Sequence, residues 1–90
     1  MTVRIGDLVF DDVSYDERGD VLYLSVGKPR TAARTHATEE GHAVRFDETG
    51  NVIGITLVNA KWLSERDGKV TVTFPDRLEA SAEELAPALS

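Results

Sequence analysis

Tyr15-Asp16-Glu17-Arg18-Gly19-Asp20-Val21-Leu22-Tyr23-Leu24-Ser25 is written almost a second time as Phe46-Asp47-Glu48-Thr49-Gly50-Asn51-Val52-Ile53-Gly54-Ile55-Thr56, with residue 15 recurring at residue 46, thirty-one positions on. Each copy runs from an aromatic residue through Asp-Glu-x-Gly to a polar residue and then an alternating apolar stretch. Asp and Gly at a turn flanked by β-prone residues spell a β-hairpin. The spelling predicts two such hairpins, with the first turn at Asp16–Gly19 and Gly19 supplying its positive φ. Leu22, Leu24 and Val26 should share one face of the first returning strand, and Ile53, Ile55 and Leu57 one face of the second. Val21 and Tyr23 make the opposite face partly apolar, so something should cover it. Tyr23 in one copy stands where Gly54 stands in the other; if the two positions meet across the sheet or a dimer axis, the ring has its gap.

Working outward, Val3-Arg4-Ile5, Leu8-Val9-Phe10 and Val13-Ser14-Tyr15 are short β-prone stretches, separated by a Gly6-Asp7 turn and interrupted at Asp11-Asp12. Gly27-Lys28-Pro29 closes the strand after Tyr23. Arg30–Glu40 lacks a period and reads as a loop, with a short helical turn near Thr31–Arg34. Val44 and Phe46 lead into the second hairpin. Asn59–Arg66 predicts a short helix or wide turn that drops Trp62 onto the sheet. Lys69–Phe74 alternates as a strand, apolar at Val70, Val72 and Phe74, and stops at Pro75. Ser81-Ala82-Glu83-Glu84 matches a capping box, and Leu78, Ala82, Leu85, Ala86 and Leu89 form an apolar stripe at helical spacing that Pro87 limits to about two turns. The fold class expected is α+β, mainly β: an antiparallel β-meander of five to six strands with a short C-terminal helix packed on one face, in a single domain spanning residues 1–90.

Bulk properties narrow the function. Ninety residues make a small core, which a second copy of the chain can extend. With no cysteine, disulfides, thiolate metal sites and thiol nucleophiles are excluded, in keeping with a reducing cytoplasm. Ten basic against sixteen acidic residues give a net charge of −6. Lys28, Arg30 and Arg34 are too scattered to make a basic stripe, so a nucleic-acid partner is not expected and a basic protein partner is the better match. No apolar run reaches a membrane span, and the N-terminus lacks a signal-peptide plan. The expectation is a cytoplasmic protein without a membrane partner.

Candidate chemistry is sparse. Asp16, Glu17, Asp20, Asp47 and Glu48 do not follow the frame of a helix–loop–helix calcium loop and read as solvated turn carboxylates. His36 and His42, flanked by Glu39 and Glu40, offer a weak divalent-metal or small-ligand reading of the 30–42 loop; the plainer expectation is two exposed histidines. Ser14, Ser25, Ser64, Ser81 and Ser90 lie in no Gly-x-Ser-x-Gly elbow, and Gly50-Asn51-Val52-Ile53-Gly54 is a hairpin and strand rather than a phosphate loop. No catalytic, cofactor or metal residue is therefore nominated, and an enzyme is not expected. Tyr23, Trp62, Leu85 and Leu89 are the candidate interface residues, either joining a homodimer or completing the chain's own core, and a homodimer is the expected assembly.

The run Tyr15-Asp16-x-x-x-Asp20-Val21-Leu22-Tyr23-Leu24, followed by Phe46-Asp47-Glu48-x-Gly50-x-Val52-Ile53-Gly54-Ile55-x-Leu57, resembles the bacterial family known as domain of unknown function 2283 over about residues 13–64. The chain departs from that pattern at Thr49, usually Asp there, and at Thr56, often Glu. The resemblance implies a small antiparallel sheet and no established activity. Relatives beside small toxin-like genes make an antitoxin-like or regulatory interaction module the leading expectation, with the small-ligand or metal-binding loop as its alternative.

Overall fold

A computed structural model describes residues 1–74 and 76–89; the strand-stopping role expected of Pro75, and Ser90, lie outside the described residues. Among the described residues nine strands and two short helices form: β1 (Val3–Ile5), β2 (Leu8–Phe10), β3 (Asp12–Asp16), β4 (Val21–Ser25), β5 (Arg34–Ala37), β6 (Ala43–Phe46), β7 (Val52–Val58), α1 (Ala60–Asp67), β8 (Lys69–Thr73), β9 (Arg77–Ser81) and α2 (Ala82–Leu85), which runs into a 3-10 turn at Ala86–Ala88. The mainly β, α+β class expected from the sequence is the class observed.

Five strands build the central antiparallel sheet in the order β3-β4-β7-β6-β5. The order departs from a simple meander: the neighbour of β4 is β7, and the chain crosses from β4 to the far edge before returning through β5 and β6. The two repeated hairpins thus lie side by side, joined through their second strands. Leu24 pairs with Ile55, its own counterpart thirty-one positions on. The duplication is therefore a local two-fold arrangement centred on that pair.

Alternation decides which face is buried, because successive side chains in a strand point to opposite sides. Leu22 and Leu24 from β4, Val44 and Phe46 from β6, and Ile55 and Leu57 from β7 are buried together. Two separate hairpins, β1–β2 and β8–β9, supply the other half of this core through Val3, Ile5, Phe10, Val70, Val72 and Ala80. Val26, expected in the same row as Leu24, lies past the strand's end and is exposed.

The C-terminal segment differs from expectation in an informative way. Residues 77–81, where a helical stripe starting at Leu78 is predicted, form β9, paired with β8 from Lys69↔Ser81 to Thr73↔Arg77. The predicted capping box is present: Ser81 accepts from the Glu84 N–H at 3.0 Å and the Glu84 carboxylate accepts from the Ser81 N–H at 2.9 Å. The helix that follows is short and docks against β1 and β9. Leu85 is fully buried and Leu89 nearly so. Both candidate interface leucines therefore complete the chain's own core, since β9 carries them back onto it.

The stretch expected to be a loop with a helical turn also forms a strand. β5 (Arg34–Ala37) pairs with β6 and is exposed at every residue. Edge strands made of charged and small polar residues discourage edge-to-edge association, and the same composition hides them from periodicity.

Candidate interaction surface

The family-like signature residues Tyr15 and Asp20 are structural. Asp20, and not Gly19 as expected, takes the left-handed backbone in the first turn (φ 55°); in the second turn Gly50 does so (φ 89°). This bend aims the Asp20 carboxylate at the start of α1, where the cap residue Asn59 makes no side-chain cap bond. The Lys61 and Trp62 N–H groups donate to the two Asp20 oxygens at 2.8 and 3.0 Å, and the Tyr15 hydroxyl adds a third bond at 2.8 Å. Burial works to raise the Asp20 pKa, yet these three donors outweigh it and hold it below the usual carboxylate value. Burial first, and then the bond to Asp20, push the Tyr15 hydroxyl up to about 12.

Asp20 also fixes the rotational phase of α1. Ala60 and Ser64 face the core, and Trp62 is turned outward. Trp62 is 55% exposed, with the Arg66 guanidinium 4.4 Å above its ring. The expected docking of Trp62 on the sheet does not occur.

The second acidic turn bonds mainly within itself. Asp47 Oδ1 accepts from Thr49 Oγ1 at 2.7 Å and from the Thr49 and Asn51 N–H groups at 2.9 Å each. The Thr49 hydroxyl leads the effects that lower its pKa. The carboxylate closes its own turn, as the sequence reading has it.

The residues proposed for a metal or ligand in the 30–42 loop are only partly brought together. His36 lies on β5 and stacks against Phe74 (4.5 Å between ring centroids). His42, expected to be exposed, is 1% exposed. Its Nδ1 accepts from the Val58 N–H at 3.0 Å, so the proton sits on Nε2, which is buried without a partner among the described residues. Glu40 is held by Thr73, accepting from its N–H at 2.9 Å and its hydroxyl at 2.5 Å, and lines a hollow of about 290 Å³ together with His42. Among the described residues no three His, Cys, Asp or Glu side chains group so as to hold a metal ion. A hollow of about 530 Å³ does lie against Arg30–Ala33 and Asp47–Thr49, with Arg30 reaching Asp47 at 3.7 Å.

What the fold leaves open is the second face of the five-stranded sheet. Cross-strand partners share a face, so three rows can be read directly from the register. One row is Asp12–Ser25–Gly54–Arg45–Thr35, the next is Ser14–Tyr23–Thr56–Ala43–Ala37, and the third is Asp16–Val21–Val58. Both accessory hairpins belong to the opposite, core-forming side. Tyr23 is 44% and Val58 37% exposed on this open face. The cover expected over Val21 and Tyr23 is therefore not supplied by the chain itself.

Arg45 is the open-face residue that sequence reasoning missed. Its guanidinium lies across Gly54, with Nη2 donating to Ser25 Oγ at 3.0 Å and to the Leu24 carbonyl at 3.4 Å. A Cβ at Gly54 would overlap this guanidinium and approach the Leu24 carbonyl to 2.8 Å. The gap at Gly54 is thus filled by Arg45 and not by Tyr23, whose cross-strand partner is Thr56. A glycine in the middle of an otherwise β-branched strand is the available signal; the arginine nine residues before it is not marked by any pattern. Arg45 Nε is left without a hydrogen-bond partner, and no carboxylate among the described residues pairs with it.

Taken together, these elements define a small mainly β protein with one filled and one open sheet face. The model of the family described as protein of unknown function (DUF2283) matches residues 12–61, more than half of the chain, and the protein belongs to that family. The match covers the two repeated hairpins, the Asp20 cap and the start of α1, and leaves out β1–β2 and β8–α2. Neither the curated proteins nor the solved structures include a match to this chain.

Proposed function

We propose that the protein is a non-enzymatic interaction module, antitoxin-like or regulatory in role, that binds a protein partner through the open face of its five-stranded sheet. The observation that carries the reading is Tyr23, exposed at the centre of that face beside Val58 and Val21. A tyrosine ring offers large contact area at low entropic cost, and aromatic anchors dominate interface energetics. Trp62, exposed on α1, is a second aromatic group available for contact. No helix of the described residues is long and apolar enough to cross a membrane, and the net charge of −6 favours a basic protein where the partner is a different chain. The absence of cysteine supports a cytoplasmic setting.

Solution mass tests the reading, measured for the protein alone and mixed with the products of neighbouring genes. The expected result is a mass above 9.8 kDa in at least one of these samples. A strict monomer in all of them contradicts the proposal. Binding to a basic partner should weaken as salt rises.

A further inference from the structure

On the core-forming side of the molecule, the hollow that His42 and Glu40 share has no part in the open face. It measures about 290 Å³ and lies among the end of α1, the β8–β9 hairpin and the turn before β6. His42 and Val70, each 1% exposed, form its base with Leu63 beside them, and Arg66, Lys69 and Arg77 stand at its rim. Three cations from three elements thus meet at one place in a chain with ten basic residues against sixteen acidic ones.

Hydrogen bonding gives the hollow its character. His42 Nδ1 accepts from the Val58 N–H, so the polar group that the ring has left is the Nε2–H, a donor without an acceptor among the described residues. Buried donors are almost always paired, and one left open at the base of a hollow marks where an acceptor belongs. Arg66 commits Nε and Nη2 to Asp67 at 2.9 Å each and keeps Nη1. Lys69 Nζ gives one bond to Glu79 at 3.0 Å and keeps its other N–H groups. The two carboxylates of the lining are already engaged: both Glu40 oxygens accept from Thr73, and both Asp67 oxygens from Arg66. Donors are in surplus and acceptors are occupied. A metal cation finds no lone pair on the imidazole, since the nitrogen not bound to β7 bears the proton.

We propose that this hollow binds a small organic anion. Its carboxylate or phosphate oxygens accept from the His42 Nε2–H at the base and from Arg66 and Lys69 at the rim, while its apolar part lies on Leu63 and Val70. Bonds between a cationic donor and an anionic oxygen are the stronger kind, and the His42 N–H gains the acceptor that the fold does not give it. The volume corresponds to roughly ten waters and sits at the lower end of small-molecule pockets, so the ligand is a compact molecule and not a peptide. The site goes beyond the open-face reading and shares no residue with it.

Nitrogen-15 NMR of the whole chain near neutral pH tests the site. Inorganic phosphate, phenyl phosphate and benzoate are each added to millimolar concentration, with sodium chloride as the ionic-strength control. Phenyl phosphate or benzoate should give saturable shifts of the His42 Nε2–H and of the Val70 and Thr71 amides, and should bind more tightly than inorganic phosphate. Whichever of the two binds better assigns the head group. Lys69→Gln and Arg66→Gln, whose side chains are open to solvent, should keep the wild-type circular dichroism and each weaken that binding roughly tenfold. Spectra that no anion moves beyond the chloride control overturn the proposal, as do shifts confined to exposed lysine and arginine side chains with His42 unmoved. Wild-type affinity in both variants, or a His42 response to zinc in place of the anions, overturns it as well. Each of these failures leaves the open-face reading standing, because solution mass tests that reading separately.

Discussion

Gly54 and Arg45 form one unit. The guanidinium can lie flat on the sheet only where the strand beneath has no Cβ, and its bonds to Ser25 Oγ and the Leu24 carbonyl tie β6 to β4 across β7. Gly54→Ala should therefore cost about 1–3 kcal/mol, read from urea unfolding. Arg45→Ala in the same chain should recover only part of that loss, since the Leu24 carbonyl still blocks the new methyl. Full recovery would show that the arginine alone needs the glycine. His42 gives a second residue-scale prediction. Desolvation lowers its pKa, against an opposing pull from Glu40, and its Nδ1 is occupied by the Val58 N–H. The folded state therefore refuses a proton that the unfolded chain accepts near pH 6.5. The resulting stability is present above about pH 6.5 and is lost as pH falls below it, by up to about 1.4 kcal/mol per unit for one proton. His42→Gln should remove that part of the pH dependence in urea titrations run from neutral to mildly acid pH; an unchanged slope would contradict it. The sequence marks both histidines alike. Nothing local distinguishes the one that β7 buries from the one that β5 exposes, because burial of His42 depends on the Val58 N–H sixteen residues away.

At the scale of elements, the best-marked features are those whose determinants lie close together. The two hairpins, the helix at Ala60–Asp67 and the Ser81–Glu84 capping box all rest on residues within a few positions of one another, and all are present. The elements that escaped have a competing or silent pattern. β9 alternates Leu78 and Ala80 inward, but Leu78, Ala82 and Leu85 also fit a helical period, and the pairing with β8 decides between them. β5 has no buried residue to give it a period. The cap of α1 is non-local as well: its acceptor, Asp20, lies 41 positions before Lys61. Asp20→Ala removes a charged cap from two N–H groups and strands the Tyr15 hydroxyl. The expected loss is about 1–2 kcal/mol in chemical denaturation, together with faster amide exchange at Lys61 and Trp62. A loss in stability without a change at those two amides would mean that Asp20 acts through the hairpin instead of the helix.

Across the whole molecule, the duplication produces two paired hairpins with opposite fates for their two faces. The core face is closed by β1–β2, β8–β9 and the helices, which draw Leu85 and Leu89 inward. The outer face keeps Tyr23 and Val58 exposed and leaves Arg45 without an acidic partner among the described residues. Of the four residues nominated from the sequence, Tyr23 and Trp62 lie on the surface and two leucines do not. The apolar stripe of a short helix cannot by itself tell an intramolecular contact from an intermolecular one, since each buries the same area. Two-sided apolarity at Val21 and Tyr23 carries more information, because a strand can turn only one face to its own core in a two-layer fold. The central claim is that the open face works by being covered, and Tyr23→Asp tests it most directly. The substitution puts a charge at the middle of the face while leaving the buried core untouched. Sedimentation equilibrium of each chain, alone and mixed with the products of neighbouring genes, should show the wild type in a species above 9.8 kDa in at least one sample and the variant free at 9.8 kDa in all of them, with superimposable far-ultraviolet circular dichroism. A variant that associates as strongly as the wild type would contradict the account.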